Sequence, residues 1–294
     1  MNAPLWQICT DDYFPLRPSI RCDNTRRQYK IALESFAEQL GRAATLADLT
    51  DDSITRWMTW LLGLRPALSV NTVRERVGRV QTLWTWLAKR GVVRQWPTVC
   101  RPPAVDPLPV ALTEDQLRRL FASAAKERGR IAGVPADLWW RSFLGFVWNT
   151  AERKSAVLAV RCEWIDLARA IATIPPASRK GGRKWGVYQL WPELLPLLGE
   201  CLAATPPREL VWPWDKCEAS YYTSYNRILR GAEIPVSRKT KTHGLRVSHA
   251  TWLKVMGGDP TRQLMHGDAA TTQRSYLDPR LTATPQPKLF VPWG

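Results

Sequence analysis

The sequence predicts a mainly α-helical protein of two domains, a small all-helical one followed by a mostly helical one with a minor antiparallel β-sheet. Three observations predict this. Apolar residues recur at helical spacing between Asn24 and Gly91. The stretch from Cys100 to Pro109 holds four prolines and little periodicity. Between Trp164 and Leu190 the pattern changes to short apolar alternations.

The first helix is expected from Asn24, with Tyr29, Leu33, Phe36 and Leu40 on one face, Asn24 or Thr25 as its cap and Gly41 as its stop. A second spans Ser53 to Leu62, opened by Asp51 and Asp52, carrying Ile54, Trp57, Met58 and Leu61, and ended by Gly63 and Pro66. In the third, Val73, Val77, Val80, Trp84 and Leu87 form a stripe, with Ser69 or Asn71 at the start and Gly91 at the end. Pro102, Pro103, Pro107 and Pro109 then mark a semi-extended linker. Thr113 to Gln116 reads as a capping box ahead of Leu117, Leu120 and Phe121, and helical pattern returns from Leu138 to Trp148.

The sheet is assigned to Ile165 and Leu167, Ile171 and Ile174, and Val187 and Leu190. Gly181-Gly182 is expected to form a hairpin turn with Arg179, Lys180, Arg183 and Lys184 as four positive charges at its tip. From Pro192 the chain returns to helix through Leu194, Leu195, Leu198 and Leu202, and mostly helical pattern continues to Tyr276. The expected boundaries are an N-terminal segment 1–18, a helical domain 19–99, a linker 100–110, a second domain 111–281 and a tail 282–294.

Lys plus Arg number 42 against 26 Asp plus Glu, and the net +16 is spread along the chain, which points to a polyanionic partner. No stretch approaches the roughly 20 apolar residues of a membrane span, so nucleic acid is favoured over a membrane. Met1 to Thr10 lacks the layout of a secretory signal, and the expectation is a cytoplasmic, nucleoid-associated protein. The six cysteines form no C-x-x-C pair and read as reduced structural thiols, while most of the 16 tryptophans read as core anchors.

All three histidines, His243, His249 and His266, fall within one 24-residue stretch. Their spacing does not suit a metal, and Asp259 and Asp268 are isolated, so no metal or other cofactor is expected. Metal-free phosphodiester cleavage needs other cations, and guanidinium groups suit phosphate oxygens. His243-Gly244-Leu245-Arg246 offers one beside an imidazole.

This H-x-x-R, followed by Ala250-Thr251, Gly258, Leu264-Met265-His266 and Thr271-Thr272 ahead of Tyr276, resembles the C-terminal motif of the tyrosine recombinase, or phage integrase, family. Thr150-Ala151-Glu152-Arg153 resembles the family's T-G-x-R-x-x-E, with Ala151 in place of glycine and Ala156 in place of the acidic residue. Ser178 to Arg183 followed by Val187 resembles the hairpin of the family's catalytic lysine, with Lys180 as the match. The pattern from Asn24 to Gly91 is similar to the family's core-binding domain.

The resemblance implies the tyrosine recombinase catalytic fold and a site-specific recombinase that works without metal or ATP. Tyr276 would attack a phosphate to give a 3′-phosphotyrosyl link, and Arg153 and Arg246 would hold the non-bridging oxygens. Lys180 would protonate the leaving 5′-oxygen, His243 would act as base, and His266 would bond a phosphate oxygen and pack the site. His249 reads as structural. Arg26, Arg27, Lys30, Arg74, Arg79, Arg183 and Lys184 are candidate DNA contacts, with a solvated surface as their ordinary alternative.

The implied partners are double-stranded DNA, a homotetramer on two recombination sites, and a directionality or DNA-bending protein. The tail would reach a neighbouring protomer. Two other readings are a relative that binds DNA without cleaving it and a topoisomerase or resolvase with the same tyrosine chemistry.

Overall fold

The computed structural model describes residues 3–18, 20, 22–106, 108–179, 184–204 and 208–283. The chain divides into two compact units, Met1–Val105 and Asp106–Gly294.

In the first unit, α1 (Leu5–Ile8) runs on through the turn Cys9–Tyr13 and is followed by α2 (Asp23–Leu40), α3 (Asp51–Gly63) and α4 (Val70–Lys89). Leu5, Cys9, Tyr13 and Phe14 join the core formed by Phe36, Trp57 and the α4 stripe, and Val73, Val77, Val80, Trp84 and Leu87 are all buried as their spacing predicts.

Capping differs from expectation at α2, which starts after Cys22 and has no side-chain cap from Asn24 or Thr25. Gly41 ends it in the left-handed region, φ 68°, its N–H meeting the carbonyls of Ala37 and Glu38. Helix α3 is capped by Thr50 rather than by the aspartates, because the Asp51 carboxylate accepts the Thr98 N–H at 3.0 Å. Ser69 caps α4 through the Thr72 N–H at 3.1 Å.

The proline-rich stretch is strapped along α4. Trp84, Gln81 and Arg74 donate to the carbonyls of Gln95, Val99 and Pro102 at 2.6, 2.7 and 2.6 Å, and Asn71 bonds both backbone groups of Val105. Each carbonyl on a proline-interrupted segment needs a donor from elsewhere, and the polar side of α4 supplies them.

The second unit begins with α5 (Glu114–Ala124), which carries the expected capping box between Thr113 and Gln116. A two-stranded ribbon, β1 (Arg130–Ile131) and β2 (Val134–Pro135), leads into α6 (Ala136–Thr150) and α7 (Lys154–Leu158). Helix α6 is apolar around most of its circumference and therefore central. Trp139, Trp140, Phe143 and Phe146 pack with Trp212, Tyr221 and Tyr225 in the core.

The three-stranded antiparallel sheet has the order β3 (Ile165–Asp166), β4 (Ile171–Ile174), β5 (Gly186–Gln189). The ladder ends at Ile174 opposite Gly186, so residues 175–185 connect the strands, where a two-residue turn would have paired Lys180 with Arg183. Gly181 and Gly182 lie outside the described residues. In this register Ala172, Ile174 and Tyr188 point into the core, and Val187 points out.

The remaining helices are α8 (Leu195–Ala203), α9 (Glu218–Gly231), α10 (Thr242–Val255), α11 (Pro260–Gln263), α12 (Ala269–Tyr276) and α13 (Pro279–Thr282). Asp259, Asp268 and Asp278 cap the last three, each accepting backbone N–H groups of the first turn. Asp259 and Asp268, which look isolated in the sequence, have this role. Among the described residues no helix is long and apolar enough to cross a membrane.

Candidate active site

His243 and Arg246 lie one turn apart at the start of α10. Gly244 between them is required by packing, since a Cβ there would collide with the Lys239 carbonyl oxygen. Arg246 is 1% exposed. One of its terminal nitrogens donates to the Ala151 carbonyl and the other to the Leu264 carbonyl at 3.1 Å, with Nε2 of His266 also 3.1 Å away.

Both carbonyls belong to turns with left-handed backbone, at Ala151 (φ 53°) ending α6 and at Met265 (φ 54°) following Leu264. Left-handed geometry costs a non-glycine residue roughly 1–2 kcal/mol, and the arginine's bonds offset part of that. Ala151 therefore keeps the turn that a glycine would form without strain.

Arg246 always donates, so Nε2 of His266 accepts and its Nδ1–H faces the Thr272 hydroxyl at 2.9 Å. Burial, with Arg246, Arg153 and His243 nearby, pushes His266 down to about 4. Its neutral ring serves Arg246. Burial lowers Arg246 too, and neighbouring Arg153 adds to that, while Tyr276 and Glu152 act in the opposite sense.

Tyr276 closes α12 and rests in an apolar pocket of Ala151, Val247, Ala250 and Leu264. Its ring centroid is 4.6 Å from that of His266 and 5.4 Å from that of His243, and the Arg246 guanidinium carbon is 5.4 Å from it. Arg153, half-buried, precedes α7 and donates its N–H to the Glu152 carboxylate at 3.0 Å. Thus Arg153, the His243–Arg246 pair, His266 and Tyr276 come from four separate places in the sequence to one site. Lys180 lies outside the described residues, as does Arg183.

Sequence reasoning missed a second layer. Glu152 is buried and accepts from the Tyr188 hydroxyl at 2.6 Å and from Arg179 Nε. Burial alone would raise its carboxyl, but Tyr188, Arg179, the Arg153 N–H and Arg246 together hold it below the ordinary carboxylate range. Arg179, read from the sequence as a solvated tip charge, is buried in this ion pair, and it also donates to the Lys184 carbonyl at 3.0 Å. The signal available was Glu152 itself, a charge set between Ala151 and Arg153. Lys154 and Lys241 were also missed, and both rest on the Tyr222 ring, 4.4 and 4.5 Å from its centroid.

His249 turns away from this cluster to donate Nδ1–H to the Trp148 carbonyl, and burial pushes it down to about 4. Since the unfolded ring titrates near 6.5, the unfolded state binds the extra proton between those values and stability falls as pH drops through that window. A His249→Gln variant should differ from the parent by an amount that shrinks by about 3 kcal/mol between pH 7 and pH 4. Urea unfolding at both pH values measures it, and a difference independent of pH would contradict the buried neutral ring.

Of the candidate DNA contacts, Arg26, Arg27 and Lys30 are exposed on α2, with Arg26 against Phe14 and Lys30 against Trp6. Arg79 lies over Tyr29 and pairs with Glu75, and Arg74 is spent on the Pro102 carbonyl. Lys184 is exposed. Among the described residues no three His, Cys, Asp or Glu side chains come together as a metal ion would require.

The model of the phage integrase family matches residues 111–281, more than half of the chain, and the chain belongs to that family. Tyrosine recombinase XerC of Roseiflexus castenholzii is 30% identical over 150 residues, 50% of this chain and 46% of that one. The chain thus aligns with about half the length of this curated relative.

Two solved structures share the fold. A lambda integrase (75-356) dimer bound to a COC′ core site has a TM-score of 0.70 at 13% identity, covering 99% of this chain and 100% of that one. XerH site-specific recombinase in a post-cleavage complex with palindromic difH substrate has a TM-score of 0.67 at 20% identity, covering 85% and 75%.

Proposed function

We propose that this protein is a site-specific DNA recombinase that cleaves and rejoins strands through a covalent bond between Tyr276 and a DNA 3′-phosphate. The observation that carries this reading is the convergence of a tyrosine, two histidines and two arginines at the start of one helix.

In the proposed reaction the Tyr276 oxygen attacks phosphorus, the bond to the 5′-oxygen breaks, and that oxygen takes a proton. Lys180 is the assigned donor by resemblance. A second strand's 5′-hydroxyl reverses the step, so the phosphodiester energy is kept in the tyrosyl bond. Charge building on the non-bridging oxygens is met by Arg153 and Arg246 and by the positive end of the α10 dipole. His243, exposed and beside the Tyr276 ring, is the group assigned to take the phenol proton. His266 holds Arg246 and supports the ring from the other side.

The substrate is double-stranded DNA, in keeping with the +16 charge, and the working assembly is a tetramer joining two sites. A duplex selected from random sequence by binding supplies the target. After incubation and denaturation the adduct is digested and its peptides are weighed. A deoxynucleotide on the Tyr276 peptide is the expected result, and attachment at Tyr222, or no attachment to any peptide, would reject the reading.

A further inference from the structure

Two residues beyond the tyrosine, Asp278 is completely buried although it carries a carboxylate. Oδ2 accepts the Ala111 N–H at 2.9 Å, and Oδ1 accepts the Arg280 N–H at 3.1 Å and Nε at 2.9 Å. Its own N–H donates to the Thr251 hydroxyl at 3.0 Å, and that hydroxyl donates to the Tyr276 carbonyl at 3.2 Å. The next residue, Leu112, is stitched to α10 as well: its N–H donates to Ser248 at 2.8 Å, and its carbonyl accepts from Trp252 at 2.9 Å. Three segments distant in sequence therefore meet at one residue: the start of the catalytic unit, bonded to the Asp278 carboxylate, the helix bearing His243 and Arg246, bonded to its backbone N–H, and the chain just past Tyr276.

A cap on the four-residue α13 does not require such burial, because Asp259 and Asp268 cap short helices while exposed. What distinguishes Asp278 is its bond to a backbone 167 residues away and the shared Thr251 hydroxyl, which fixes the peptide on the C-terminal side of the tyrosine. The Arg280 bonds, offset by burial and helped by the Ala111 N–H, keep the carboxyl below its ordinary range.

We propose that Asp278, acting with Thr251, is a positioning residue that clasps the backbone after Tyr276 to α10 and Ala111 and so fixes the phenol against Arg246 and His243. This rests on Tyr276 being the nucleophile. Misplacing a reacting group by about 1 Å costs roughly 100-fold, so the clasp should act on rate and not on DNA affinity.

Asp278→Asn weakens the carboxylate's bonds at constant shape, and Thr251→Val removes the bridging hydroxyl. Each is made in the full chain with 3-fluorotyrosine at the seven tyrosines, the Tyr276 resonance being assigned by its loss in Tyr276→Phe. The expected result in both variants is a shifted or split Tyr276 fluorine resonance with the other six in place. Adduct formation should be roughly 10–100-fold slower at saturating selected duplex, with the half-saturating DNA concentration within about threefold of the parent.

Arg280→Gln, which spares the Ala111 and Thr251 bonds, should stay within about threefold in rate, because the two bonds that hold the peptide after Tyr276 remain. An unmoved Tyr276 resonance in both variants would overturn the proposal. So would a parental rate at saturation, or shifts in all seven resonances with rate and affinity falling together. If the parent itself forms no adduct, the assignment of the nucleophile fails, while the fluorine spectra still decide whether Asp278 holds the ring.

Discussion

Tyr276→Phe should abolish covalent attachment to DNA while leaving folding and DNA affinity at parental values. The substitution deletes one oxygen and keeps the ring, and the ring makes the contacts with His243, His266, Ala151, Val247, Ala250 and Leu264. No other tyrosine stands ready to replace it. Tyr221 and Tyr225 are fully buried, and their hydroxyls are engaged with Thr242 and the Thr240 carbonyl. Tyr222 lies beneath Lys154 and Lys241. Denaturing electrophoresis of labelled duplex and a binding isotherm on the same preparation measure both quantities. Persistent adduct would remove Tyr276 from the mechanism, and loss of binding in parallel with adduct would mean that the hydroxyl holds the site together.

Arg179→Met should destabilise the second unit by about 3–5 kcal/mol, the usual consequence of stranding one charge of a buried pair. Glu152 would be left inside the protein with Tyr188 and the Arg153 N–H as its remaining donors. Adding Glu152→Gln to Arg179→Met should recover much of the loss, because the stranded charge is removed as well. Urea unfolding of the parent, the single variant and the double variant tests this. A single-variant loss below about 1 kcal/mol would show that water or another donor reaches Glu152 in solution.

Long periodic elements were legible because one physical rule governs them. The α4 stripe had to be buried somewhere, and the Thr113–Gln116 box had to start a helix. The site motif was legible for a similar reason, since His243 and Arg246 share a helix and their spacing survives folding. Short or charged features were not. The segment Leu5–Tyr13 is too brief to show a period, yet it fills the first core. Tyr188 faces the core and Val187 faces out, and alternation alone does not say which residue comes first. Arg179 and Asp278 were obscured by a general rule, that charges face water, which holds until a partner is brought from far along the chain.

Arg246 has a structural duty beside the hold on phosphate proposed for it, and this bears on how the family's sequences are read. Its guanidinium ties together two left-handed turns, at Ala151 and at Leu264–Met265. A descendant that had lost its substrate would still unravel locally without this side chain, so selection for foldability alone would retain it. Retention of the arginine in a diverged relative is thus a sign of an intact scaffold and not by itself of retained activity.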